Sequence, residues 1–298
     1  MDFHTNPSSL SLILFTTLVI FVHAKTDSDI TNLVYRGCAE QKFPNPSEVY
    51  TQNLNTLLSS LVSRSSQETF NTTTSGDDQT SITGLYQCRG DLTAPECYTC
   101  VSKIPDLAYK LCSKAVASRV QLSGCYLKYE VIGFSQVPET ELLYKICGSA
   151  QVTGAAVFEQ RRNTAFNMVT NGVKNSVELF YTGTYEHVYI LGQCEGDIAS
   201  GNCGDCVKTA TERAKNECDD SISAQIYLNK CFISYSYYPN GVPNPNSSLS
   251  SDGTRQHTQK TVAMAVGIVA AVGFVLVLLL FVRSVMKKKR TGKYEGHQ

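Results

Sequence analysis

The sequence predicts an α+β protein made of two tandem disulfide-rich domains followed by one transmembrane helix. Three observations lead there. Five cysteines recur at a single offset, helix and strand periodicities recur in the same order around them, and an uncharged apolar run of 21 residues follows.

In chain order, the first element is a short apolar run, Leu10 to Val22, closed by Val22-His23-Ala24. It is too short to cross a bilayer and ends on the small-residue pattern of a signal-peptide cleavage site, so residues 1–24 read as a signal peptide. The stretch before it holds Asp2 and no Lys or Arg, and an uncleaved anchor is the alternative.

The duplication comes next. Cys88, Cys97, Cys100, Cys112 and Cys125 are separated by 8, 2, 11 and 12 residues, and Cys194, Cys203, Cys206, Cys218 and Cys231 repeat those gaps 106 residues later. Cys38 and Cys147 precede the two sets and bring each copy to six. Gln87-Cys88-Arg89-Gly90-Asp91 also matches Gln193-Cys194-Glu195-Gly196-Asp197. Each copy opens with an amphipathic stripe: Leu54, Leu57, Leu58, Leu61 and Val62 in one, Ala165, Phe166, Val169 and Val173 in the other. A second helical stripe follows each Cys-x-x-Cys, carried by Val101, Ile104, Ala108 and Leu111, then by Val207, Ala210 and Ala214. Pro105 belongs in the first turn of its helix or bends it. Alternation over Cys125, Leu127, Tyr129 and Val131, and over Cys231, Ile233, Tyr235 and Tyr237, marks a strand in each copy. Six cysteines allow 15 pairings, and spacing does not choose among them.

From Pro239 to Lys260 the composition turns to Pro, Asn, Ser and Gly, which reads as a flexible stalk. The run Val262 to Val282 is long enough for a ~30 Å hydrocarbon core. Six basic residues follow it between Arg283 and Lys293, so the C-terminus is expected in the cytosol and the body outside. An oxidising exterior suits an even set of cysteines, and the sequons at Asn71 and Asn246 fall on the same side. The expected organisation is therefore 1–24 signal peptide, 25–137 first domain, 138–238 second domain, 239–261 stalk, 262–282 transmembrane helix and 283–298 cytoplasmic tail.

The net charge is zero overall, but Lys25 to Lys260 holds 20 basic and 24 acidic residues. A mildly acidic body argues against a nucleic-acid partner. The two Cys-x-x-Cys pairs read as structural disulfides, not as redox or zinc centres, because each belongs to a six-cysteine frame. With His187 alone inside the domains, no Ser-His-Asp or Cys-His-Asn set can be drawn. The chain reads as non-catalytic, with no cofactor. Arg89-Gly90-Asp91 reads as a turn, since Glu195 replaces the Arg in the second copy. In the span, Ala263, Gly267 and Ala271 place small side chains on one helix face, suited to self-association or pairing with another membrane protein. Small residues common to any span explain the same pattern.

At Cys88-x8-Cys97-x2-Cys100 the chain resembles the plant cysteine-rich domains related to the seed lectin ginkbilobin. Two such domains, a stalk, one span and a short basic tail resemble the plasmodesmata-located proteins, over essentially the whole mature chain. The resemblance implies two helices packed on an antiparallel sheet of about five strands in each domain. It also implies the disulfides Cys38–Cys112, Cys88–Cys97, Cys100–Cys125, Cys147–Cys218, Cys194–Cys203 and Cys206–Cys231. The implied role is regulation of passage through plasmodesmata, linked to callose deposition, with viral movement proteins and other membrane proteins or receptor kinases as partners. A lectin or co-receptor for wall glycan at the general cell surface is the alternative. The mannose-contact positions of ginkbilobin fall here on Ala39, Arg119 and Glu130, so the Arg and Glu are present and the amide is missing. An ordinary surface ion pair explains Arg119 and Glu130 equally well. In the second copy the positions hold Gly148, Gln225 and Ser236, and none match.

Overall fold

The computed structural model describes residues 30–44, 48–150 and 155–239. The expected stalk, the span at 262–282, Asn246, Ala263, Gly267 and Ala271 lie outside the described residues, as does the expected signal peptide. Among the described residues no helix is long and apolar enough to cross a membrane.

The first domain runs β1 (Leu33–Cys38), α1 (Glu48–Arg64), β2 (Phe70–Ser75), β3 (Ile82–Cys88), α2 (Ala94–Val101), α3 (Ile104–Cys112), β4 (Ala117–Leu122) and β5 (Cys125–Val131). The second runs β6 (Leu142–Cys147), α4 (Ala155–Asn175), β7 (Phe180–Tyr185), β8 (Val188–Cys194), α5 (Ser200–Glu217), β9 (Ser223–Leu228) and β10 (Cys231–Tyr237). Each folds into a five-stranded antiparallel sheet, in the order β1-β4-β5-β3-β2 and β6-β9-β10-β8-β7.

Helices cover one face of each sheet. The stripe Leu57, Leu58 and Leu61 packs on Ile82, Tyr86, Leu127 and Tyr129, while Phe166, Val169 and Val173 pack on Val188, Ile190, Ile233 and Tyr235. Period-two alternation sends Cys125, Leu127 and Tyr129 into that core and leaves Tyr126, Lys128 and Glu130 on the opposite face. That second face is the one that meets the other domain.

The six disulfides join Cys38–Cys112, Cys88–Cys97, Cys100–Cys125, Cys147–Cys218, Cys194–Cys203 and Cys206–Cys231. These are the pairs that the resemblance implies. No cysteine is left free among the described residues.

The two copies differ where the sequence expects one helical stripe in each. In the second domain α5 is continuous, whereas in the first the stripe breaks after Val101 and restarts as α3 with Pro105 in its first turn. Proline has no N–H to give the carbonyl four residues back, and its ring collides with that carbonyl, so an unbroken helix is excluded there. Thr211 holds the corresponding place in α5 and donates its hydroxyl to the Lys208 carbonyl. A second difference lies at the β7–β8 turn, only two residues long, where Glu186 and His187 have φ of +40° and +71°.

Candidate functional site at the domain seam

The repeated Gln-Cys-x-Gly-Asp segments meet across a pseudo-twofold relation. The Gly196 amide donates to Gln87 Oε1 at 3.0 Å, and the Gly90 amide donates to Gln193 Oε1 at 3.3 Å. Gln193 Nε2 also reaches the Cys88 carbonyl at 3.0 Å. Both glutamines are buried. The glycines are needed for close approach: a Cβ on Gly90 would lie 2.5 Å from the Phe180 ring, and one on Gly196 would lie 2.7 Å from Phe70. Aromatic packing extends the contact, with Tyr35 stacked on Tyr144 at 5.2 Å and meeting Tyr227 edge-on at 5.4 Å.

The twofold relation fails where Arg89 and Glu195 occupy equivalent positions. Arg89 turns back to Asp91 at 2.6 Å and donates to the Ser123 carbonyl at 3.0 Å. The Arg-Gly-Asp segment is thus a self-bonded turn whose glycine is spent in the seam. Glu195 instead is fully enclosed. It accepts hydrogen bonds from the Tyr126 hydroxyl, from Lys128 at 3.0 Å and from Lys230, which also pairs with Asp197 at 2.8 Å. Burial alone would push this carboxyl up; Lys128, Arg119 and Lys230 together overcome it and hold Glu195 at about 2. Burial lowers Lys128, and so does the repulsion of Arg119 and Lys230, with which it shares the Glu195 carboxylate. Burial works against Lys230 too, but its two carboxylates raise it.

Arg119 and Glu130 do not form the surface ion pair that the sequence allows. Arg119 is half-buried: its guanidinium lies 4.0 Å over the Tyr126 ring, beside the Tyr35 hydroxyl, and Nη1 donates to the Asn229 carbonyl of the second domain at 2.9 Å. Glu130 points elsewhere and accepts from Gln136 Nε2 at 2.8 Å. β4 and β5 make Arg119 and Glu130 diagonal neighbours on one face, and the pair fails because the guanidinium is turned to Tyr126 and Asn229 instead. Arg119 and Glu130 still line one cavity of about 270 Å³, together with Ala39, the 134–137 connector and Asn229. Asn71 lies on the edge strand β2, half-buried, its amide donating to Glu68 at 2.9 Å.

Glu195 and the Gln87/Gln193 clasp carry no separate sequence signal as functional residues. The repeat of Gln-Cys-x-Gly-Asp was the available one, because shared polar residues outside the cysteines need a shared task. Among the described residues no group of His, Cys, Asp and Glu could hold a metal ion.

Two six-cysteine α+β modules clasped sheet to sheet define a tandem cysteine-rich domain pair. A family described as salt stress response/antifungal matches at residues 37–131 and 146–238. Plasmodesmata-located protein 2 of Arabidopsis thaliana is 50% identical over 291 residues, covering 93% of this chain and 94% of the relative. Plasmodesmata-located protein 1 of the same plant is 48% identical, covering 95% and 97%. Among solved structures, the tandem DUF26 ectodomain of the Arabidopsis thaliana cysteine-rich receptor-like protein PDLP8 is similar at a TM-score of 0.63 and 31% identity, covering 70% of this chain and 98% of that one. The chain belongs to the plasmodesmata-located protein family.

Proposed function

We propose that this chain is a non-catalytic, single-pass type I membrane protein of plasmodesmata that regulates cell-to-cell passage through protein contacts. The observation that carries the reading is similarity running almost end to end, through the stalk and apolar run, to plasmodesmata-located proteins 2 and 1. In this reading residues 1–24 are removed, 239–261 form the stalk, 262–282 span the membrane and 283–298 face the cytosol. Callose-linked control of permeability and docking of viral movement proteins belong to the same proposal, as does association through the Ala263, Gly267 and Ala271 face.

The test is a C-terminal fluorescent fusion imaged in plant epidermis with callose stain, alongside dye movement after loss and overexpression. Wall-crossing puncta on callose, with altered dye spread, are expected. A uniform cell-surface outline with unchanged dye spread overturns the reading. A second reading, a wall-carbohydrate lectin, draws on the cavity shared by Ala39, Arg119 and Glu130. The Arg119 commitment to Asn229 weighs against it, since a sugar there must compete with a bond that holds the domains together.

A further inference from the structure

The duplication provides an internal comparison, because what the fold needs must appear in both copies. An open groove of about 570 Å³ lies between α1 and the broken α2–α3 pair of the first domain. Its size falls within the ~300–1,000 Å³ of ordinary ligand sites.

The groove is polar but uncharged. Asn55, Ser59 and Ser63 recur every four residues along one stripe of α1, Ser66 follows in the turn after it, and Ser102 faces them from the α2–α3 break. Leu58 and Val62 form the apolar floor, and Tyr98 lines the groove with 45% of its surface exposed. No charged side chain lines it among the described residues. Ser66 and Ser102 donate to the carbonyls of Ser63 and Thr99, which fixes their hydroxyls and leaves oxygen lone pairs to accept.

In the second domain Gly204 stands 106 residues after Tyr98, and the Lys174 side chain lies over it, 3.3 Å from where a Cβ would be. The aromatic ring is missing there and a lysine stem fills the space. The break at Pro105 is likewise confined to the first domain. An exposed aromatic ring, an apolar floor and a row of neutral hydroxyls and an amide match one chemistry: a neutral sugar chain, whose ring C–H faces seek apolar and aromatic surface while its hydroxyls exchange hydrogen bonds. Acidic glycans and charged peptides find no counter-charge here. An open groove suits a chain lying along it better than an enclosed small molecule.

We propose that the α1/α2–α3 groove binds a neutral polysaccharide strand across Tyr98. This site is separate from the seam and from the cavity at Arg119, and it does not depend on where in the cell surface the protein resides.

The test is calorimetric titration of the full chain in detergent with cello-, xylo- and laminari-oligosaccharides of six units. Saturable binding of at least one is expected. Tyr98→Ala should weaken it roughly tenfold, equivalent to about 1.4 kcal/mol, with thermal unfolding unchanged. Ser66→Lys, which places a lysine in the turn just after α1, much as Lys174 stands in the last turn of α4, should weaken it while leaving Tyr98 intact. Absence of binding by the wild-type chain overturns the proposal. So does binding that survives both substitutions, which would place the sugar elsewhere.

Discussion

Replacing Glu195 with glutamine keeps the shape of the seam and removes the carboxylate that Lys128 pairs with. Two routes give the size of the effect. The folded carboxyl is held at about 2 against an ordinary value of 4.5, and each unit is worth about 1.4 kcal/mol, so the charge contributes on the order of 3 kcal/mol. Independently, removing one partner of a buried ion pair costs about 3–5 kcal/mol, because the remaining charge stays buried and unpaired. Because the folded value is depressed, this stability is fully present above the ordinary carboxyl value of 4.5. It is lost as pH falls from there towards 2. The assay is thermal unfolding at several pH values, followed by near-ultraviolet circular dichroism of the 16 tyrosines, with no tryptophan to mask them. At pH 7 Glu195→Gln should lower the transition by about 2–4 °C per kcal/mol. Between pH 5 and 2.5 the wild-type transition should fall more steeply than the variant's. Equal transitions at pH 7, or identical acid slopes, would refute the assignment of Glu195 as the electrostatic centre of the seam.

Gly196→Leu should open the seam by driving a side chain into Phe70, read as a larger radius in small-angle X-ray scattering; Gly201→Leu, with nothing within 4 Å of its Cβ, should leave the radius unchanged. Removing Cys38–Cys112, 74 residues apart, should cost about 4–5 kcal/mol against about 3 for Cys88–Cys97, 9 apart, in the chain-entropy model, measurable by urea unfolding. His187→Gly relieves a positive φ at the β7–β8 turn and should stabilise the second domain by up to about 1 kcal/mol in the same measurement. Thr211→Pro should break α5 as α2–α3 is broken and cost about 3 kcal/mol, visible as lost helical circular dichroism.

The domain count, the helix stripes and the strand faces were legible because each is a local or repeating property of the chain. Leu57, Leu58 and Leu61, or Leu127 and Tyr129, announce their buried face through spacing alone. Pro105 likewise signalled a disturbance, since the missing N–H acts within one turn. Arg119 shows where such reasoning stops: its identity marked it as a candidate, but neither of its expected settings was a bond to the other domain.

The pair of six-cysteine modules, their helix and strand periodicities, and their membership of a family matched through residue patterns are all written in local spacing. Long-range packing makes Gln87 and Gln193 clasp the two domains, encloses Glu195 among three cations, and lays Lys174 over Gly204 where the first copy exposes Tyr98. The glutamine clasp and the Lys128–Glu195 pair join residues 67 to 109 positions apart across two separate sheets. Periodicity reports which way a side chain faces within its own element, and it says nothing about which surface arrives opposite.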